Sequence, residues 1–169
     1  MAKVIALIGL FFVSVVSQAQ TNNSQFTKAQ DDGWLVNIEE AYQVSKQTNR
    51  PILANFTGSD WCGWCKRLRA EVFSKPEFKK WAKDNVILLE LDFPRRKRLP
   101  DPQMQQNRGL QQAFRVTGYP TIWVFDLEKP ETEQSFQIHA LGKTGYVRGG
   151  ADNFTQQIDK MISRKALSN

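Results

Sequence analysis

Histidine and cysteine are almost missing from this sequence. Its 169 residues hold one histidine, His139, and two cysteines, Cys62 and Cys65. Structural zinc frameworks need three or four Cys/His ligands, so they are excluded, and no metal site is expected. A Ser-His-Asp or Cys-His enzyme would rest entirely on His139. No apolar run reaches the roughly 20 residues that span a bilayer. Repeats and low-complexity tracts are also missing. What is present suits one folded domain: 41% apolar residues, 24% charged, five Trp and eleven Phe. That mixture argues against disorder. The length matches a single domain with a core that needs no staples. The net charge of +6 suits nucleic acid, acidic partners or plain solubility, and alone it selects none of them.

The first residues read as a targeting signal. Met1–Lys3 is a basic start, and Val4–Val16 is apolar except for Gly9 and Ser14. Ser17-Gln18-Ala19 then offers small residues at the two positions a signal peptidase reads, so cleavage is expected after Ala19. The mature chain loses Lys3 and no acid, which leaves a charge of +5. Export places the protein in the periplasm or outside the cell, where a disulfide persists. Nucleic acid then recedes as a partner. The segment 20–33 is polar and reads as a flexible leader, with the domain running over 34–169.

Hydrophobic periodicity orders the rest. Asn37 caps a helix over Ile38–Thr48, and Ile52–Phe56 is a buried strand. A helix begins near Cys62 and runs to Phe73. Ser74 caps the next helix, with Pro76 in its first turn and Glu77 three after the Ser. Val86–Leu91 suits a central parallel strand. Asp101–Arg115 is a helix with Leu110, Ala113 and Phe114 on its apolar face. Thr121–Phe125 and Phe136–Leu141 form an antiparallel hairpin across the polar stretch Asp126–Glu133. Phe154, Ile158, Met161 and Ile162 mark a last amphipathic helix. The order α, β, α, β, α, β, β, α implies an α/β fold, a mixed central sheet with helices on both faces.

The chemistry concentrates in Trp61-Cys62-Gly63-Trp64-Cys65-Lys66. Two cysteines three apart at a strand–turn–helix junction put the first sulfur near unpaired backbone N–H groups, which favour a thiolate. Cys62 then attacks a disulfide, and Cys65, one turn further in and more buried, resolves the mixed disulfide. Lys66 adds positive charge beside the pair. A purely structural disulfide would close a tiny loop and restrict the unfolded chain little. Half of a metal site would need His139, far along the chain. Haem attachment requires His after the second Cys, where Lys66 stands.

The segment Asn55–Lys66, taken with Tyr119-Pro120-Thr121, resembles the thioredoxin superfamily. The longer run from Phe56 through the cysteines to Glu71-Val72-Phe73 is similar to exported bacterial thioredoxin-like proteins, including the C-terminal domain of the thiol:disulfide interchange protein. The resemblance extends from about Trp34 to the C-terminus. It implies the thioredoxin fold, Cys62 as nucleophile and Cys65 as resolving thiol. Pro120 matches the family's cis-proline, beside which a substrate backbone pairs, and Tyr119 precedes it. Trp61 matches the aromatic residue that shields the site, and Trp64 flanks the thiols. The sequence departs from the family in three places, the first a turn before Trp61 one residue longer than in thioredoxin itself. Trp64 replaces the proline common between the cysteines. Asn55 stands where the family often carries a buried acid that assists the resolving cysteine, and Asn cannot take a proton. Asp60, Glu90 or water remain as proton acceptors for Cys65.

Four consecutive cations, Arg95, Arg96, Lys97 and Arg98, occupy a loop. Such a run is ordinarily a solvated surface, and the alternative is steering of an acidic partner, with Arg67 and Arg69 extending the field. The reading is therefore an exported thiol:disulfide oxidoreductase, a monomer without cofactor. It acts on protein disulfides or dithiols and is recycled by a membrane redox partner. Two rivals stand: a redox-silent peptide-binding or chaperone module of the same fold, and a dedicated electron donor to one client pathway.

Overall fold

A computed structural model describes residues 25–130 and 135–168, with side chains to residue 163. The expected signal peptide lies outside the described residues, as do 20–24 and 131–134. The elements are α1 (Ile38–Thr48), β1 (Ile52–Thr57), α2 (Gly63–Leu68), α3 (Pro76–Asn85), β2 (Ile87–Asp92), α4 (Asp101–Ala113), β3 (Thr121–Glu128), β4 (Gln137–Thr144) and α5 (Gly150–Ser168). The four strands stand in the order β2-β1-β3-β4. β1 pairs parallel to β2 and antiparallel to β3, and β3 and β4 form the expected antiparallel hairpin. No described helix is long and apolar enough to cross a membrane.

Strand alternation divides the core into two layers. Leu53, Ile122 and Val124 face Leu68, Val72, Phe73, Phe78, Phe154 and Ile158, so α2, α3 and α5 cover one side. Ile52, Ala54, Phe56, Leu89 and Phe125 face Ala41, Tyr42, Phe114 and Val116, so α1 and the end of α4 cover the other. The aromatic residues of the first layer interlock: Phe73 lies 5.1 Å from Phe78, 5.6 Å from Phe154 and 5.0 Å from Trp34 between ring centroids.

Several local expectations are corrected. The helix after the cysteines does not stay α-helical to Phe73. Arg69–Phe73 widens into a π-helix, in which Ser74 N–H donates to Arg69 C=O five residues back. The wider turn lets both Val72 and Phe73 reach the core. Ser74 is not the cap of α3. Pro76 pushes the residue before it into an extended conformation, so the cap position falls on Lys75, whose side chain makes no capping bond. Asn37 does cap α1, accepting from Glu39 N–H at 2.9 Å.

In α4 Ala113 is exposed, and the inward residues include two buried amides, Gln103 and Asn107. Both have partners. Asn107 donates to Asp92 C=O, and Gln103 accepts from the N–H and hydroxyl of Thr27. β3 runs to Glu128, beyond the expected end at Phe125, because Leu127 continues the inward alternation. The segment read as a flexible leader has partners from Thr27 onward. Gln30 donates to Glu90, and Asp31 pairs with Arg69.

Phe78 is fully buried at the centre of the first layer. Phe78→Ala is expected to lower unfolding free energy by about 3–5 kcal/mol, read as a shift in the urea midpoint at unchanged slope. A loss under about 1 kcal/mol would show that this layer does not support the domain.

Candidate active site

β1 delivers the chain to the site, and the turn Gly58–Trp61 redirects it into α2. Cys62 N–H and Trp61 N–H both donate to Gly58 C=O, at 2.8 and 3.2 Å. A Cβ at Gly58 would lie 2.5 Å from the Trp61 indole, so only glycine lets that ring close over the turn. Asp92 anchors the turn from β2: its carboxylate accepts from Ser59 N–H at 2.8 Å and from Ser59 Oγ at 2.6 Å.

Cys62 is the N-cap of α2, and its Sγ accepts from Cys65 N–H at 3.1 Å. The first sulfur therefore sits where the sequence put it, beside an otherwise unpaired helix N–H. The two cysteines are joined in a disulfide, with Cα atoms 5.3 Å apart. Burial differs from expectation. Cys62 is as enclosed as Cys65, at 6% and 5% exposure. The exposed part of the motif is Gly63-Trp64, with Trp64 at 53%.

Aromatic residues frame the pair on two sides. Trp61 donates its indole N–H to Phe93 C=O at 2.8 Å and stands edge-on to Tyr119, with centroids 5.7 Å apart. Tyr119 precedes Pro120 across a cis peptide bond. Its hydroxyl accepts from Gln111 at 2.8 Å, and burial raises its pKa above the usual tyrosine value. On the other side Trp64 leans on Tyr146 at 5.1 Å, and the Arg67 guanidinium lies over both rings. Tyr146 donates to Glu71, which also pairs with Arg67 at 2.7 Å. The sequence reading named Trp61, Trp64, Tyr119 and Pro120 but missed this Tyr146–Glu71–Arg67 support. Only the i, i+4 spacing of Arg67 and Glu71 hinted at it.

Behind the disulfide lies a cavity of about 10 Å³ with Cys65, Asn55, Glu90 and Arg69 among its polar walls and Trp34 and Phe73 among its apolar ones. Alternation explains its walls. Asn55 and Glu90 are register partners on β1 and β2, and both fall on the side that faces α2. Asn55 is buried, and its Oδ1 has no hydrogen-bond partner. The volume is close to that of a single water. Glu90 accepts from the N–H and the side-chain amide of Gln30. Burial, helped by the nearby Asp92 carboxylate, raises its pKa to about 7.

Of the two side chains named as proton acceptors for Cys65, Glu90 lines this cavity with it. Asp60 lies outside. Its carboxylate accepts from the N–H groups of Arg95 and Arg96, at 3.1 and 2.7 Å. Burial acts to raise the pKa of Asp60, and these amides overcome it and hold the carboxyl below its ordinary value. Lys66 reaches back to Asp60 C=O at 3.0 Å. His139 is on β4, half exposed, 3.4 Å from Glu128 and apart from the cysteines.

Comparison with known proteins agrees with this geometry. Residues 38–135 match the family model described as a thioredoxin-like domain. The chain is 33% identical over 123 residues to the disulfide bond reductase DsbH of Chlamydia pneumoniae, covering 73% of this chain and 69% of that protein. It is 29% identical over 126 residues to the thiol:disulfide interchange protein DsbD of Haemophilus influenzae, covering 75% of this chain but only 19% of that protein. Among solved structures, a DsbH oxidoreductase superposes with a TM-score of 0.66 at 28% identity, over 85% of this chain and 91% of that one. A fold built as a mixed sheet, a Cys-Gly-Trp-Cys pair capping a helix, and these relatives converge: the chain belongs to the thioredoxin-like family and is a thiol:disulfide oxidoreductase.

Proposed function

We propose that this protein is an exported disulfide reductase that passes two electrons from Cys62 and Cys65 to disulfides in other proteins. The observation that carries the reading is the placement of Cys62 Sγ as the cap acceptor of α2, backed by the likeness to a relative named as a disulfide bond reductase. In the reduced protein the Cys62 thiolate attacks one sulfur of the substrate disulfide. A mixed disulfide forms and the other substrate sulfur leaves as a thiolate. The Cys65 thiol loses its proton and attacks Cys62 Sγ. The Cys62–Cys65 bond forms and the second substrate thiolate leaves. The substrate is reduced and the pair is oxidised. A membrane dithiol donor returns the two electrons. The Ser17-Gln18-Ala19 cleavage site supports a periplasmic location. Trp61, Trp64, Tyr119 and Pro120 present the surface on which the substrate backbone lies.

Glu90 takes the proton of Cys65. The support is its place in the cavity that Cys65 lines, with Asn55 Oδ1 available to a bridging water. A carboxyl with a pKa of about 7 accepts a proton near neutral pH and gives it up again. The acid that Asn55 cannot supply from β1 thus comes from β2.

With dithiothreitol as donor, the wild type is expected to reduce insulin disulfides and Cys62→Ser to lose that activity. Cys65→Ser should accumulate mixed disulfides, seen as bands that vanish on reduction. A wild type without reductase activity, together with a Cys65→Ser variant that traps nothing, would overturn the reading.

Glu90 also links stability to pH. Its folded pKa is raised, so the folded state holds a proton that the unfolded state has released. Stability is therefore expected to fall as pH rises from the ordinary glutamate value to about 7, by about 3 kcal/mol in all, and to level off above that. Glu90→Gln should flatten this slope in urea titrations. It should also slow resolution of the mixed disulfide and displace the pH dependence of that step. An unchanged stability slope would mean that Glu90 does not titrate as described, and an unchanged resolution profile would remove its role as acceptor.

A further inference from the structure

The loop 93–100 carries four consecutive cations, all exposed. As a free surface loop it would have little bearing on the thiols. It is instead attached to the motif by its backbone. Asp60, two residues before Cys62, accepts from the N–H groups of Arg95 and Arg96, and Phe93 C=O accepts from the Trp61 indole. The Arg95 guanidinium then lies 3.8 Å from the centre of the Trp61 ring. Trp61 in turn touches Tyr119, next to Pro120. The cations therefore border the surface assigned above to the substrate.

Their charge is only partly offset locally. Among the described residues, the carboxylates around the pair are already engaged. Asp60 is held by backbone amides, Asp92 by Ser59 and Lys97, Asp101 by Arg98, Glu71 by Arg67 and Tyr146, and Asp31 by Arg69. Glu90 is buried. Among the described residues Arg95, Arg96 and Lys66 have no carboxylate within ion-pair distance, and Arg96 acts on the Asp60 carboxylate through space. What remains is a local excess of positive charge along one edge of the thiol pair. Two of its members are guanidinium groups, which bind carboxylates in a planar fork.

We propose that the Arg95–Arg96 edge is a docking site for acidic side chains flanking the substrate disulfide, so that the protein selects disulfides in acidic sequence surroundings. This rests on the reductase reading above and specifies its substrate class. Ion pairs at an exposed edge contribute little free energy each. The edge acts mainly through attraction during encounter, and its effect weakens with salt.

The test compares three disulfides reduced by the wild-type protein: a small neutral one, bis(2-hydroxyethyl) disulfide, and two cystine peptides of equal length flanked by Asp/Glu or by Lys. At low salt kcat/KM for the acidic peptide is expected to exceed that for the basic peptide by at least about tenfold, with the ratio shrinking as salt is raised. Arg96→Glu, at a side chain that makes no direct ion pair among the described residues, should bring the ratio to one or invert it. Arg95→Lys, which keeps the charge and loses the fork, should preserve most of it. Equal rates for the two peptides, a preference for the basic one, or an acidic preference that survives Arg96→Glu would each overturn the proposal. Failure to reduce even the neutral disulfide would count against the reductase reading instead.

Discussion

The parallel pairing of β1 with β2 is the constraint on which the site depends. Its register sets Asn55 beside Glu90 and Thr57 beside Asp92. Alternation then turns Leu53, Asn55, Glu90 and Asp92 toward α2. A slip of β2 by one residue would send Glu90 and Asp92 to the opposite layer and bring Leu89 and Leu91 toward the cysteines instead. Leu53 supports the core of that layer, Glu90 lines the cavity behind Cys65, and Asp92 holds the turn that leads into Cys62. One set of backbone hydrogen bonds thus positions the floor, the acid and the anchor together.

Burying two carboxylates two residues apart on one strand is costly unless each finds partners. The structure resolves this differently for the two. Asp92 sits at the end of β2 among Ser59 and Lys97. Glu90, two residues earlier on the strand, accepts from Gln30, which belongs to a segment before the first helix. Burial opposes the charged form of Glu90, and the Asp92 carboxylate beside it adds to that effect. The same segment closes the cavity through Asp31 and Arg69, so residues that look like an idle polar leader are part of the wall.

Much of this was legible in the residues. The order of elements, the antiparallel hairpin, the Asn37 cap and the cysteine at the start of α2 follow from periodicity and local chemistry. The lone Glu90 in an apolar strand was a visible anomaly, and sequence could name it among candidates but not place it. What sequence could not show depended on tertiary contacts. The π-turn at Arg69–Phe73 arises because two adjacent side chains, Val72 and Phe73, both need the core. The inward Gln103 and Asn107 break the apolar face of α4 because the ends of strands and leader offer them polar partners. Cys62 reads as exposed from its position at a helix start, yet it is covered once the neighbouring aromatic rings are in place.

The attachment of the cationic loop by Asp60 separates position from composition. The carboxylate binds main-chain N–H groups of Arg95 and Arg96 rather than their side chains. Any residue but proline offers the same amide. The loop can therefore exchange its side chains over evolutionary time while its path beside the cysteines stays put. The pocket and the redox pair would be inherited unchanged, and partner choice would drift at Arg95 and Arg96, while Lys97 stays tied to the buried Asp92.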